Sequence, residues 1–119
     1  MATLLTTSTR NGDSIVLTCT GSAESDSLAA LEAVLQSTHD SATQATVRAV
    51  VADLRGLEFA ASSCLKVFVS WLQRIQQLER SERYKVVFRS ATQHSWQRRS
   101  LGALAAFAAD IVEIQMEAA

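Results

Sequence analysis

Two adjacent serines place hydroxyl groups, which can be phosphorylated, at the predicted start of a helix. Ser62 and Ser63 follow one apolar stretch and open a second, longer one with helical spacing. The first N–H groups of a helix lack intrahelical partners and carry partial positive charge. A serine hydroxyl can cap these groups, and a phosphate added there would be stabilised electrostatically. The pair therefore predicts either a plain helix cap or a site of regulatory phosphorylation.

The other reactive side chains form weak catalytic arrangements. Cys64 and His94 are the sharpest pair, because a helix N-terminus can lower the pKa of a thiol. A lone cysteine on an apolar helix is, however, more often a buried packing residue. His39 and His94 lack the acids or cysteines at metal-ligand spacing that a zinc site needs. We therefore expect no enzyme activity, no metal and no cofactor.

Composition is typical of a globular protein. The 119 residues are 48% hydrophobic and 19% charged, which predicts one domain over residues 1–119. The two cysteines form no CxxC pair, and the first ten residues lack a signal-peptide pattern, so a cytoplasmic protein is expected. The uncharged stretch at residues 100–109 is about half of the ~20 residues that span a bilayer. No membrane span is predicted.

Charge is unevenly distributed along the chain. Residues 1–59 carry three Lys or Arg and seven acids, whereas residues 60–99 carry eight and two. The basic segment lacks the alternating aromatic residues on which bases stack, so we expect no nucleic-acid partner. An acidic protein partner is compatible with this charge.

Glycines and hydrophobic periodicity divide the chain into elements. Asn11-Gly12 predicts a hairpin that pairs residues 3–10 with residues 14–20, with Cys19 on the core side. Gly56 is predicted to form the turn between an apolar strand and the long helix. The elements predicted after the hairpin are a helix from about Ser25, a polar loop at residues 38–46, a strand at 47–53 covered on both faces, a helix from 63 to about 80, a strand at 84–89, a helix at 95–107 and a strand at 111–115.

This order predicts an α/β fold. The hairpin strands should be antiparallel, and the alternating helices and strands after it imply right-handed crossovers between parallel strands. The result is a mixed sheet on which the helices pack, with residues 47–53 as a central strand.

The long helix carries more apolar surface than one sheet contact requires. A stripe is predicted to face the core, formed by Leu65, Phe68, Val69, Leu72 and Ile75. Val67, Trp71 and Leu78 form an adjoining strip beside the serines. This strip predicts a docking surface for a partner protein, or else a strip that the C-terminal helix covers or that is simply half exposed.

Five features of the chain form a recognisable set: the hairpin, the strand Val50 to Leu54, the segment Gly56 to Phe59, the serine pair and Leu101-Gly102. Together they resemble the STAS domain, the sulfate transporter and anti-sigma factor antagonist family, over essentially the whole chain. The resemblance implies that Ser63 occupies the phosphoacceptor position, with Ser62 beside it. Ala61 stands where the family has an acid, and Cys64 where it has a glycine.

The resemblance implies a non-enzymatic regulatory module of the bacterial cytoplasm. Its expected partners are a serine kinase that doubles as an anti-sigma factor, and an opposing phosphatase. The expected docking residues are Phe59, Ala61, Cys64, Leu65, Val67 and Trp71. Two other functions stay open: a constitutive structural or transporter-accessory subunit, and a small-ligand module with a cleft at the carboxyl ends of residues 50–53 and 86–89.

Overall fold

Five strands and three helices make up the structure, a computed structural model that describes residues 3–45 and 47–117. Their order is β1 (Leu5–Asn11), β2 (Ser14–Ala23), α1 (Leu28–Gln44), β3 (Ala49–Ala60), α2 (Ser62–Gln76), β4 (Lys85–Ala91), α3 (Ser95–Phe107) and β5 (Val112–Glu117). Single 3-10 turns precede α1 and β4. Among the described residues, no helix has both the length and the hydropathy to cross a membrane.

The order of the strands across the sheet is the order of the strands along the chain. β1 and β2 are antiparallel, and each later strand lies parallel to the one before it. Gly12 has a φ of +65° in the hairpin turn, which agrees with the Asn-Gly signal. The predicted mixed sheet, with β3 at its centre, is confirmed.

All three helices cover the same face of the sheet. Each crossover advances the sheet by one strand in one direction, and right-handed crossovers of this kind lie on one side. Burial follows this layering: the paired residues Ile15, Val50 and Val86 are buried, whereas their neighbours Val16, Val51 and Val87 are half-buried. We call the second side the open face. The expectation that β3 is covered on both faces is therefore wrong.

The helix α1 is longer than the sequence predicted. Residues 38–44 continue it, because Thr38, His39 and Ala42 extend the buried spacing of Leu31 and Leu35. The Thr38 hydroxyl also donates to the backbone oxygen of Val34, at 2.7 Å, so the hydroxyl has a hydrogen-bond partner although it is buried. The predicted polar loop is thus wrong for residues 38–44, and its last position, residue 46, lies outside the described residues.

Two glycines lie inside strands rather than at their ends. β2 continues through Gly21 and β3 through Gly56, with register irregularities nearby. A Cβ atom at position 56 would lie 2.8 Å from Thr20 Cγ2, so the glycine permits close approach of the two strands. The turn predicted at Gly56 is therefore wrong, and β3 extends to Ala60.

Candidate functional site

The two serines occupy the first turn of α2, directly after the end of β3. The N-cap residue is Ala61, which is extended with a ψ of 154°. Its backbone N–H donates to Ala23 O at 2.7 Å, and its carbonyl accepts from the Cys64 N–H at 2.9 Å. Neither serine is the cap, so the capping prediction is wrong. Ser62 is exposed and Ser63 is half-buried.

Cys64 is a packing residue. Its side chain is fully buried, and the thiol donates to the backbone oxygen of Glu24 at 3.4 Å. Burial is the main cause that raises the pKa of the Cys64 thiol, with a smaller opposing effect from Ser63. A catalytic cysteine needs the opposite shift. The Cys64–His94 pair thus lacks an activated nucleophile, and the imidazole of His94 lies instead beside the Arg55 carbonyl, at 3.1 Å.

Three of the expected docking residues do not reach the surface. Trp71 and Cys64 are fully buried, and Val67 is 7% exposed. The physical reason is that α2 packs against α1 as well as against the sheet, and Val67 faces the groove between the two helices that Ala29 and Ala33 of α1 also line. The predicted docking strip of Val67, Trp71 and Leu78 is therefore wrong for Val67 and Trp71, and Leu78 is half-buried.

The core-facing stripe of α2 is also rotated relative to the predicted one. Leu65 and Val69 are only half-buried. The buried residues are Cys64, Val67, Phe68, Trp71, Leu72 and Ile75. Of the expected docking residues, Phe59, Ala61 and Leu65 remain partly or fully accessible, and the Phe59 side chain is 45% exposed.

The first turn of α3 holds the strand segment that leads to the serines. Pairing between β3 and β4 ends at Asp53 and Arg89, which frees one edge of the later part of β3. Gln97 fills this gap: its amide nitrogen donates to Leu54 O at 2.6 Å and to Leu57 O at 2.9 Å, while its amide oxygen accepts from the Ala91 N–H at 2.9 Å.

Trp96 adds a second contact to the same segment. Its indole N–H donates to the carbonyl of Glu58 at 2.8 Å. The sequence analysis missed both Trp96 and Gln97. A tryptophan or a glutamine in the first turn of a helix does not indicate that its side chain binds backbone about 40 residues away. The start of α2 is therefore positioned from two sides, by β2 and by α3.

The carboxyl ends of β3, β4 and β5 carry a network of ion pairs on the open face. The guanidinium of Arg55 contacts both carboxylate oxygens of Asp53, at 2.9 and 2.8 Å, and one oxygen of Glu117 at 2.9 Å. Arg89 donates to Glu117 at 3.2 Å. The hydrogen bonds from Arg55 hold the pKa of the Asp53 carboxyl below its usual value. These four charged side chains pair with one another at the place where the sequence suggested a ligand cleft.

The comparisons with known proteins show a likeness to a solved structure. No protein-family model and no curated protein matches the sequence. The structure is similar to the crystal structure of an anti-sigma factor antagonist from Mycobacterium paratuberculosis, with a TM-score of 0.65 and 17% identity over 88% of this chain and 82% of the other. The chain therefore has the fold of an anti-sigma factor antagonist, as its resemblance to the STAS domain predicted.

Proposed function

We propose that the protein is a non-enzymatic regulatory module that binds another protein at the start of α2. The observation that carries the proposal is the accessible segment from Phe59 to Ser63, in which the Phe59 and Ser62 side chains are exposed and Ser63 is half-buried at the N-terminus of α2. Such a segment offers apolar contact and a modifiable group in one place. The proposed partner is a serine kinase that acts as an anti-sigma factor in the bacterial cytoplasm, opposed by a phosphatase.

Phosphorylation of the serine pair would regulate this binding. The STAS resemblance assigns the acceptor to Ser63, while the greater exposure of Ser62 makes it the second acceptor to test. A phosphate adds about −1.5 to −2 charges. Near a helix N-terminus this charge is favourable by about 0.3 to 1 kcal/mol, so folding should be preserved. Binding should be lost, because an apolar interface would have to desolvate the charge.

Charge variants at the serines test the proposal. The partner is first recovered from cells of the source bacterium with the wild-type protein as bait, and its affinity is then measured by calorimetry. Ser63→Asp is expected to weaken binding by about tenfold or more, which equals about 1.4 kcal/mol, and Ser63→Ala to preserve it. Ser70→Asp is the matched control, since Ser70 is exposed two turns further along α2. Intact-mass measurement of protein from the same cells shows whether either serine is phosphorylated.

Constitutive binding is the second candidate function, and two residues favour it. Ala61 provides no carboxylate beside the serines, and Cys64 replaces a glycine of the family pattern with a buried side chain. If both serines are unmodified in every growth condition and Ser63→Asp binds like the wild type, the protein is a constitutive structural or accessory subunit.

A further inference from the structure

The accessible apolar residues near the serines come from both helices that start at this edge of the sheet. β3 and β4 are parallel neighbours, so α2 and α3, which follow them, begin side by side. Phe59 precedes α2, Leu65 lies in its first turns, and Trp96 lies in the first turn of α3. The hydrogen bond from Trp96 to Glu58 O fixes the indole beside the segment that leads to the serines. We call Phe59, Leu65 and Trp96 the α2–α3 patch.

The charges on the two helices have one sign. α2 and α3 contain four Lys or Arg residues and no Asp or Glu. Three of these cations are exposed, at Lys66, Arg98 and Arg99. The N-termini of both helices add partial positive charge at the same edge. Two acids adjoin this surface: Glu58 is exposed beside Phe59, and Asp26 acts electrostatically on Cys64.

We propose that the partner surface extends from the serines across the first turn of α3, and that it binds an acidic protein surface with an apolar side chain at its centre. This inference rests on the proposed function and names the chemistry of the partner. Phe59 and Trp96 supply the aromatic contact typical of interface centres. Lys66, Arg98 and Arg99 supply the complementary charge, which guides association and selects against basic partners.

The positive charges near the start of α2 explain how the proposed phosphorylation would weaken binding. Ser62 and Lys66 are four residues apart on α2 and both are exposed, so they occupy one face of the helix. A phosphate of about −1.5 to −2 charges there would neutralise Lys66 and the helix N-terminus. An acidic partner would then meet repulsion where it had met attraction.

The test uses a copolymer of glutamate and tyrosine as a probe of acidic, aromatic protein surfaces. Trp96 fluorescence reports its binding, because the only other tryptophan, Trp71, is fully buried. The double variant Lys66→Glu/Arg99→Glu is expected to weaken binding by about tenfold. Arg48→Glu/Lys85→Glu is the control, since it changes the net charge equally at exposed residues near the amino ends of β3 and β4. The control is expected to bind within about threefold of the wild type.

Equal weakening in both double variants would overturn the proposal, because net charge alone would then explain binding. Absence of binding by the wild type at low salt would overturn it too, as would tighter binding of an oligothymidine strand that displaces the copolymer. Urea unfolding of each variant shows that the fold is retained. If the partner recovered from cells is insensitive to Lys66→Glu/Arg99→Glu, the inference fails while the proposed function stands. If no partner is recovered but the copolymer binds at the patch, the proposed function fails instead.

Discussion

The hydroxyl of Tyr84 forms hydrogen bonds with both Trp71 and His39, residues that the sequence analysis had treated separately. The Tyr84 hydroxyl accepts from the indole N–H of Trp71 at 2.8 Å and also forms a hydrogen bond with Nδ1 of His39 at 2.7 Å. Burial and, secondarily, the charge of Arg74 lower the pKa of His39, against a smaller effect of Asp40.

This arrangement predicts a pH-dependent stability. Because the folded-state pKa of His39 lies below the ordinary value of about 6.5, the unfolded chain binds the proton more readily. The free energy of unfolding should therefore be highest above about pH 6.5 and fall as the pH is lowered through this value towards the folded-state pKa. His39→Asn, which keeps a hydrogen-bonding group near the position of Nδ1 but does not titrate, should remove this fall.

Urea unfolding at a series of pH values between about 7.5 and 5 measures the effect. His94→Asn is the control, because His94 lies elsewhere, beside the carbonyl of Arg55. The carboxyl of Asp53 has a lowered pKa, so its contribution to stability is constant over this pH range and is lost only at pH values below its ordinary pKa. A slope that persists in His39→Asn would contradict the assignment.

Local pattern could not reveal these roles. His39 lies in a polar stretch that reads as a loop, and Trp71 lies one position away from the predicted core stripe. Both hydrogen-bond to Tyr84, which is 45 residues from His39 and 13 from Trp71. Partners distant in sequence decide whether a polar side chain can be buried, and periodicity does not report them.

At the scale of elements, the sequence predicted those with strong local signals. The hairpin around Gly12 and the helix α3 appear where expected, because a turn and an amphipathic helix are defined by nearby residues. The ends of α1 and β3 were missed, because their extensions depend on neighbours: α1 packs on α2, and β3 continues beside β2 through Gly56. Local sequence pattern likewise could not predict that α3 packs against β3, and so could not predict the contacts of Trp96 and Gln97 with the candidate site.

Gln97→Leu tests how strongly α3 holds the late part of β3. The variant leaves Ala91 N–H and the carbonyls of Leu54 and Leu57 without their partner, in a buried place. Each unpaired buried group costs about 1 to 3 kcal/mol, so we expect the three together to lower the free energy of unfolding by about 3 kcal/mol or more. Hydrogen exchange at residues 58–63 should become faster.

Gln93→Leu is the control, because the same substitution is made at an exposed position just before α3. It should change stability by less than about 0.5 kcal/mol. If Gln97→Leu is equally mild, or leaves exchange at residues 58–63 unchanged, α3 does not fix the segment.

At the scale of the whole molecule, the sheet separates a covered face from the open face. The run of apolar residues in β3 suggested cover on both sides, yet Val51 is half-buried and Val50 fully buried. The continuous run arises because β-branched residues suit a strand even where one side meets solvent. Strand order, which the sequence of elements alone does not fix, decides how many faces the helices cover.

Two neighbouring substitutions measure this difference. Val50→Thr introduces a hydroxyl into the helix-covered core and should destabilise the protein by about 1 to 3 kcal/mol. Val51→Thr makes the same change on the open face, where solvent can satisfy the hydroxyl, and should cost less than about 0.5 kcal/mol. Urea unfolding of the two variants is the measurement, and equal losses would mean that both faces are covered in solution.

The match between chain order and strand order also bears on how the protein is made. Each strand after β1 pairs with the strand synthesised just before it, so no late strand must be inserted between two earlier ones. During synthesis, each strand can therefore pair with the preceding strand as it leaves the ribosome, and each helix can then pack on the strands already formed. Every new strand would then join at the same growing edge of the sheet, so the strand pairings can form in the order of synthesis.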